Sequence, residues 1–362
     1  MKNAGLQKRI SALLAVVFGL ILAVSLVPAN AAPKPSLPGN PLVLKVAIYS
    51  GPPEANTWTL ANVWIMREVE KRSQGRIKFE YYYNGSLVPA KEVATGLKTG
   101  VADLAFLNQS YAPGKLPLMN VTTLPVTGQY YYSSCMALAE LTETPELKAE
   151  FDMNNIRYLS PLAVSSYGIW SRFPVRTIKD LKGKKIVATG EHSRVAKAIG
   201  AVPVSIVATE IYTALERKTV DGALANPTYA YTYKWPEICA YYYRLLFGTK
   251  AQCVAINKDS WNKVPADIQK LFIDLREEAA KQAHEIYEGA GERQLAEGVR
   301  KGGVTVTEPS KEDVAFLQKM AKEVVWKDWI EAMDKKGLPG KKVLDDYLKL
   351  IEKWEARSPF KK

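Results

Sequence analysis

The strongest constraint on this chain is an alternation of strand and helix patterns that runs once and then starts again. Leu42 to Ile48 reads as a buried strand closed by Ser50-Gly51-Pro52-Pro53. Thr57 is placed to cap a helix running to about Ser73, with Trp58, Ala61, Ile65 and Val69 on one face. Gly75 stops it, because a left-handed residue after a helix favours glycine. Ile77 to Tyr83 follows as an alternating aromatic strand, Lys91 to Lys98 as a short helix, and Leu104 to Leu107 as a third strand. This order predicts a parallel α/β unit.

The same grammar restarts after about residue 158. Leu162 to Trp170 and Lys185 to Ala188 read as strands, and Thr177-Ile-Lys-Asp180 between them is a capping box. A helix from Ser193 to Ile199, a strand at Val202 to Val207, a helix at Thr209 to Arg217 and a strand at Val220 to Leu224 complete a second unit of similar size. Tyr241 to Phe247 and Gln252 to Ile256 add two more strands. Beyond Pro265 the spacing of Ile268, Leu271, Phe272, Leu275, Ala279, Ala283, Ile286 and Ala290 predicts a helix reaching about Val299. At ~1.5 Å per residue it is about 50 Å long, enough to brace both units. Ser310-x-x-Asp313 caps another helix, and Val343 to Trp354 forms the last.

The N-terminus carries a different signal. Lys2, Lys8 and Arg9 precede an apolar run from Ile10 to Val27, which ends at Ala29-Asn30-Ala31. A basic head, an apolar middle and a small-residue tail predict a secretory signal peptide over 1–31, cut near Ala31, with a Pro-rich linker over 32–41. An uncleaved N-terminal anchor is the alternative. Export predicts a periplasmic location. Removing the three charges of the leader from the formal +12 leaves +9, spread along the chain without a tight cluster. No nucleic-acid motif accompanies it, which argues against that class of partner. In an oxidising compartment Cys239 and Cys253 are the expected disulfide pair, against the alternative of three small buried thiols with Cys135.

Catalytic signatures are missing. The two histidines, His192 and His284, have no metal-ligand spacing, and there is no nucleophile elbow, Walker loop or dinucleotide fingerprint. An exported pair of α/β units with a bracing helix and no catalytic motif suggests a receptor that closes on a small solute, rather than an enzyme. No cofactor is expected.

Specific residues narrow this reading. Ile178-Lys-Asp180-Leu-Lys-Gly183-Lys-Lys-Ile186, then Gly200-Ala-Val-Pro203-Val, Glu210-Ile-Tyr212-Thr-Ala214-Leu215 and Val220-Asp221-Gly222, resemble the solute receptors of tripartite ATP-independent periplasmic (TRAP) transporters, of the DctP type. Gly75-Arg-Ile-Lys, Gly100-Val-Ala-Asp103-Leu-Ala, Tyr111-Ala-Pro113-Gly114-Lys-Leu-Pro117-Leu, Ile256-Asn257, Trp261 and Pro265 fit the same family in the same order. The resemblance implies an α/β, two-lobe periplasmic solute-binding fold, class II-like, with crossing strands and a long helix spanning both lobes. On it, 42–163 with about 252–290 is lobe I, and 164–251 with about 291–362 is lobe II. It also implies delivery of a small organic solute to TRAP membrane subunits. A receptor feeding an ABC importer or a sensor kinase, or a secreted enzyme on such a scaffold, are the alternatives.

The family pattern breaks at its carboxylate anchors. Where relatives carry an Arg after the strand at Lys185-Ile186, this chain has Val187; where some carry a second, it has Tyr167. A carboxylate in a closed cleft without a paired cation costs several kcal/mol. Either the ligand is not a simple dicarboxylate, and is aromatic, amphipathic or neutral, or a displaced cation such as Arg194 or His192 takes over. Matching positions give Tyr49, Asn108, Tyr111, Tyr167, Trp170, Val187, Glu191, Arg194, Glu210 and Asn226 as candidate ligand-binding residues. Some relatives hold a metal with a Glu-Trp pair after Asp-Gly; Ala223-Leu-Ala-Asn226 stands there, so no metal is expected.

Overall fold

A computed structural model describes residues 39–360. The expected signal peptide and nearly all of the linker lie outside the described residues. The first sheet contains β1 (Leu42–Ala47), β2 (Ile77–Tyr82), β3 (Leu104–Leu107), β4 (Ile156–Val164) and β10 (Lys250–Asn257), in the order β2-β1-β3-β10-β4. The second contains β5 (Gly168–Ser171), β6 (Lys185–Val187), β7 (Val202–Val204), β8 (Gly222–Ala225), β9 (Tyr241–Tyr243) and β11 (Thr305–Thr307), in the order β11-β9-β5-β8-β6-β7. Within each sheet the strands joined by helices run parallel, as β1 does with β2 and β3, and β6 with β7 and β8. The strands arriving from the other sheet, β10 and β5, pair antiparallel.

The expected strand from Leu162 to Trp170 is two strands. The chain leaves the first sheet after Val164 and enters the second at Gly168. It returns between β9 and β10, so the expected strand to Phe247 ends at Tyr243. The two crossings are tied together: Tyr167 N donates to Gly248 O at 3.2 Å, and Phe247 N donates to Tyr167 O at 2.9 Å. Gly248 N also donates to the Ser166 hydroxyl at 3.1 Å.

The helices cover these sheets as their apolar faces require. Toward the first sheet lie α1 (Thr57–Arg72), α2 (Val93–Lys98), α3 (Tyr131–Leu141) and α4 (Pro145–Met153). The cap of α1 is Asn56, one residue before the expected Thr57, and its side chain accepts from Thr59 N at 3.0 Å. The second sheet carries α5 (Glu191–Ala198), α6 (Ile211–Glu216) and α7 (Pro227–Thr232). The Thr177–Asp180 capping box is formed as expected.

After the short α8 (Lys258–Trp261), the expected long helix is a rod of three pieces: α9 (Ala266–Asp274), α10 (Arg276–Ala283) and α11 (Gly289–Arg300). It breaks at Leu275 and widens into a π turn at His284–Glu288. Its first half packs on β4 and α1, and α11 packs on α7, so the rod touches elements of both sheets. Gly291 permits that second contact, because a Cβ there would meet Thr228 N at 2.6 Å. The chain continues through α12 (Lys311–Met320), capped by Ser310, and α13 (Lys327–Asp334) to α14 (Gly340–Arg357). Helix α14 packs mainly on α3, and also on α13 and the Met119–Thr123 turn.

All three cysteines are free and buried. The expected Cys239–Cys253 bond is not made, because Cys253 lies within β10 in the first sheet while Cys239 belongs to the apolar cluster around Trp170 in the second.

One buried acid supports the first lobe. Glu150 on α4 accepts from Leu118 N at 2.6 Å and Met119 N at 2.8 Å. Burial pushes its carboxyl up to about 7, against the pull of those two amides. The folded protein therefore holds a proton that the unfolded chain, titrating near 4.5, has released. The contribution is full below pH 4.5 and is lost as pH rises through about 7. Relative to Glu150→Gln, wild-type stability in chemical denaturation should fall by roughly 1–3 kcal/mol from pH 4.5 to 8.

Candidate functional site

Between the two sheets lies a cavity with about 730 Å³ unfilled by protein atoms, part of it open to solvent. Its walls come from strand ends: Tyr49 follows β1, Asn108 and Tyr111 follow β3, Val187 ends β6, and Ala188 and Thr189 follow it. The floor is supplied by the crossings, through Tyr167, Lys250 and Gln252. Tyr229 and Tyr233 enter from α7 and its C-terminal end, and Tyr287 from the π turn.

The rings hold one another. Tyr49 lies 5.7 Å from both Trp58 and Tyr111, and Tyr229 lies 4.8 Å from Tyr233. Asn56 Nδ2 donates to Tyr233 Oη at 3.2 Å, linking α1 to the far wall. Tyr49 Oη donates to Gln252 Oε1 at 3.2 Å. Burial holds the phenols of Tyr49, Tyr229 and Tyr287 well above their ordinary range, so they are neutral donors and acceptors.

The charge of the site is carried by a residue that the sequence reading did not name. Lys250 opens β10 and is only 3% exposed. Its Nζ donates to Thr189 Oγ1 at 2.9 Å and to Thr189 O at 3.1 Å, and lies 5.2 Å from the centre of the Tyr167 ring. Burial pushes its ammonium down to about 7, partly opposed by the Glu191 charge. Among the described residues lining the cavity, Lys250 is the one Lys or Arg, and none is Asp or Glu. His192 also lines it, but burial first and the Lys250 charge second hold its imidazole well below its usual range.

The structure gathers Tyr49, Asn108, Tyr111, Tyr167 and Val187 at this cavity. It does not place the other candidates there. Trp170 is fully buried under the second sheet, 4.7 Å from Tyr242. Glu191 and Arg194 pair with each other at 2.9 Å on α5, and Arg194 reaches on toward Asp328. Glu210 borders an adjoining cavity, with Asn84 and Lys91, that shares Tyr49 and Ala208 with this one. Asn226 acts from behind the wall: its Oδ1 accepts from Tyr229 N at 2.9 Å and from Tyr287 Oη at 3.1 Å, fixing two rings that do face the cavity.

The missed residues had partial signals. Lys250-Ala-Gln252 puts two polar side chains on one face of a strand that is otherwise apolar, a pattern that marks a polar pocket when the strand is central. Tyr229 and Tyr233 are four apart, which is one helix face, whereas Tyr231 turns to the edge of Trp170 at 6.0 Å.

Comparison with known proteins agrees with this geometry. The family model for bacterial extracellular solute-binding proteins, family 7, matches residues 50–332. A solute-binding protein of Albidiferax ferrireducens is 26% identical over 277 residues, covering 72% of this chain and 78% of that protein. The crystal structure of a TRAP periplasmic solute-binding protein from Desulfovibrio salexigens is 27% identical, with a TM-score of 0.76 over 89% of this chain and 99% of that one. A marine metagenome TRAP protein specific for aromatic acid ligands, solved with 3-hydroxybenzoate, is 22% identical and shares the fold with a TM-score of 0.79, over 88% of this chain and 100% of its own. The chain belongs to family 7 of the bacterial extracellular solute-binding proteins, the DctP family of TRAP receptors.

Proposed function

We propose that the mature protein, freed of its leader near Ala31, works in the periplasm as the receptor of a TRAP-type transporter. It takes a small organic acid between its sheets and presents it to the membrane subunits. The observation that carries this reading is the ring-lined cavity walled by both sheets, with a buried cation in its floor. The aromatic acid bound by the marine relative supports an acid with a flat body. Capture is noncovalent, by closure of the two lobes.

Mass spectrometry of ligand released from purified protein, with thermal-shift screening of organic acids, tests the reading. An acid present at a hundred times its Kd should add about 2.7 kcal/mol of stability, a rise of several degrees in Tm. Simple C4-dicarboxylates should give little or none, because the position of the usual guanidinium is Val187. Strong stabilisation by succinate or malate, or no response to any organic acid, would reject it.

A further inference from the structure

Resting on the reading of this cavity as the ligand site, we propose that Lys250 seats a single carboxylate of a monoanionic ligand. The same lysine resists closure of the two sheets when no anion is present.

The placement of the ammonium argues for the first part. An ammonium has three N–H donors, and Lys250 spends two on Thr189. The third is left for a ligand in the cavity that Lys250 lines. Thr189 follows β6, the strand end where the family resemblance expects the anchor Arg and finds Val187. The positive charge is therefore supplied to the same corner from the opposite sheet.

The surroundings decide the count of charges. Glu191 and His192 on α5 are the titratable groups nearest in influence. Glu191 is engaged by Arg194, and His192 is neutral. The phenols of Tyr49, Tyr111, Tyr167, Tyr229, Tyr233 and Tyr287 are all raised and uncharged. The lining thus offers one cationic group, Lys250, whose proton a bound carboxylate would hold in place. One carboxylate neutralises it. A second would be buried without a partner, and a neutral isostere would leave the ammonium unpaired.

The second part follows from where the two partners sit. Lys250 belongs to the first sheet and Thr189 to the second, so closure is what removes the ammonium from water. Closing over a carboxylate keeps the charge compensated. Closing over a neutral cavity requires the lysine to give up its proton above about pH 7, whereas a solvated lysine keeps it to about 10.4. Ligand-free closure is thereby opposed near neutral pH and becomes easier as pH rises toward 10.

Calorimetry and small-angle scattering on the mature protein test both parts, using 3-hydroxybenzoate, benzoate, mandelate and pyroglutamate, the amides of the two benzoates, and isophthalate. The acids should bind wild type at least tenfold more tightly than amides or isophthalate, and should shrink its radius of gyration. Lys250→Met should lose tenfold or more in acid affinity and have the smaller radius without ligand. Lys250→Gln, which keeps a donor for Thr189, should behave likewise if the Met variant fails to fold. Equal binding of acids and amides, or full acid affinity in either folded variant, would overturn the proposal and leave the receptor reading standing. A ligand-free variant as extended as the wild type would overturn the closure role. Silence of the whole panel at millimolar concentration would overturn both proposal and reading.

Discussion

Gly190→Val is expected to give a folded protein that captures its ligand poorly. Gly190 precedes α5 with φ 59° and ψ −141°, a conformation closed to side chains with a Cβ. It also lies where the walls meet: a Cβ there would stand 2.9 Å from Ser110 Oγ and 3.2 Å from Ser110 Cβ. Ser110 follows β3 and Gly190 follows β6, so this contact bridges the two sheets and is expected to tighten as they come together. The backbone strain, on the order of 1–3 kcal/mol, lowers stability whether the walls are apart or together. The clash grows on closing, and overpacking of this kind costs about 1–3 kcal/mol, a five- to hundredfold loss of affinity. Calorimetry with the acid that most stabilises the wild type reads the second effect, and a melt without ligand reads the first. Adding Ser110→Gly should restore much of the affinity and none of the lost stability. An unchanged affinity in Gly190→Val would show that these residues do not meet in the ligand-bound form.

Trp170→Ala should do the reverse. Its indole is fully buried, packs on Tyr242 at 4.7 Å and meets Tyr231 edge-on at 6.0 Å. Val187, Ile211, Leu215 and Ala223 share its cluster. Truncating a buried tryptophan to alanine removes its transfer free energy and leaves a void, about 3–5 kcal/mol in sum. That is a large part of the ~5–15 kcal/mol that holds a domain folded. The urea midpoint should fall steeply, while Trp170→Phe should fall by far less. If Trp170 were a ligand contact, the alanine variant would lose affinity with its midpoint little changed.

That contrast shows where the sequence is informative. The apolar run from Leu42, the Gly75 stop and the Thr177–Asp180 capping box are local, and each formed where local chemistry placed it. Tyr49, Asn108, Tyr111 and Val187 were legible through the positions they share with the family resemblance, and each lies at or just after the end of a strand that alternates with helices. Trp170 was misplaced because a strand was read through Ser165–Tyr167, where the chain changes sheets, and the sheet change decides which side chains meet the cavity. Helices α3 and α4 gave no amphipathic signal strong enough to see: the α3 sequence Tyr131–Leu141 is buried on nearly every side, between β4 and α14. Lys250 escaped for a more general reason. Lysine is ordinarily exposed, and only its pairing with Val164 of β4 and its contact with Thr189 of the other sheet put it inside.

The tied crossings have a mechanical consequence. Ser166–Tyr167 and Phe247–Gly248 are bonded to each other, and Lys250 and Tyr167 sit on or beside them. Any swing of one half against the other pivots about this pair of segments. Lys250 lies two residues past the pivot, so a swing that parts it from Thr189 across the sheets moves it less than Tyr111, which lies farther along the chain from either crossing. A bound molecule can thus stay gripped at its charged end while its free end is uncovered. A membrane partner pulling on the lips would act through a long lever arm, and the grip itself would be the last contact to yield.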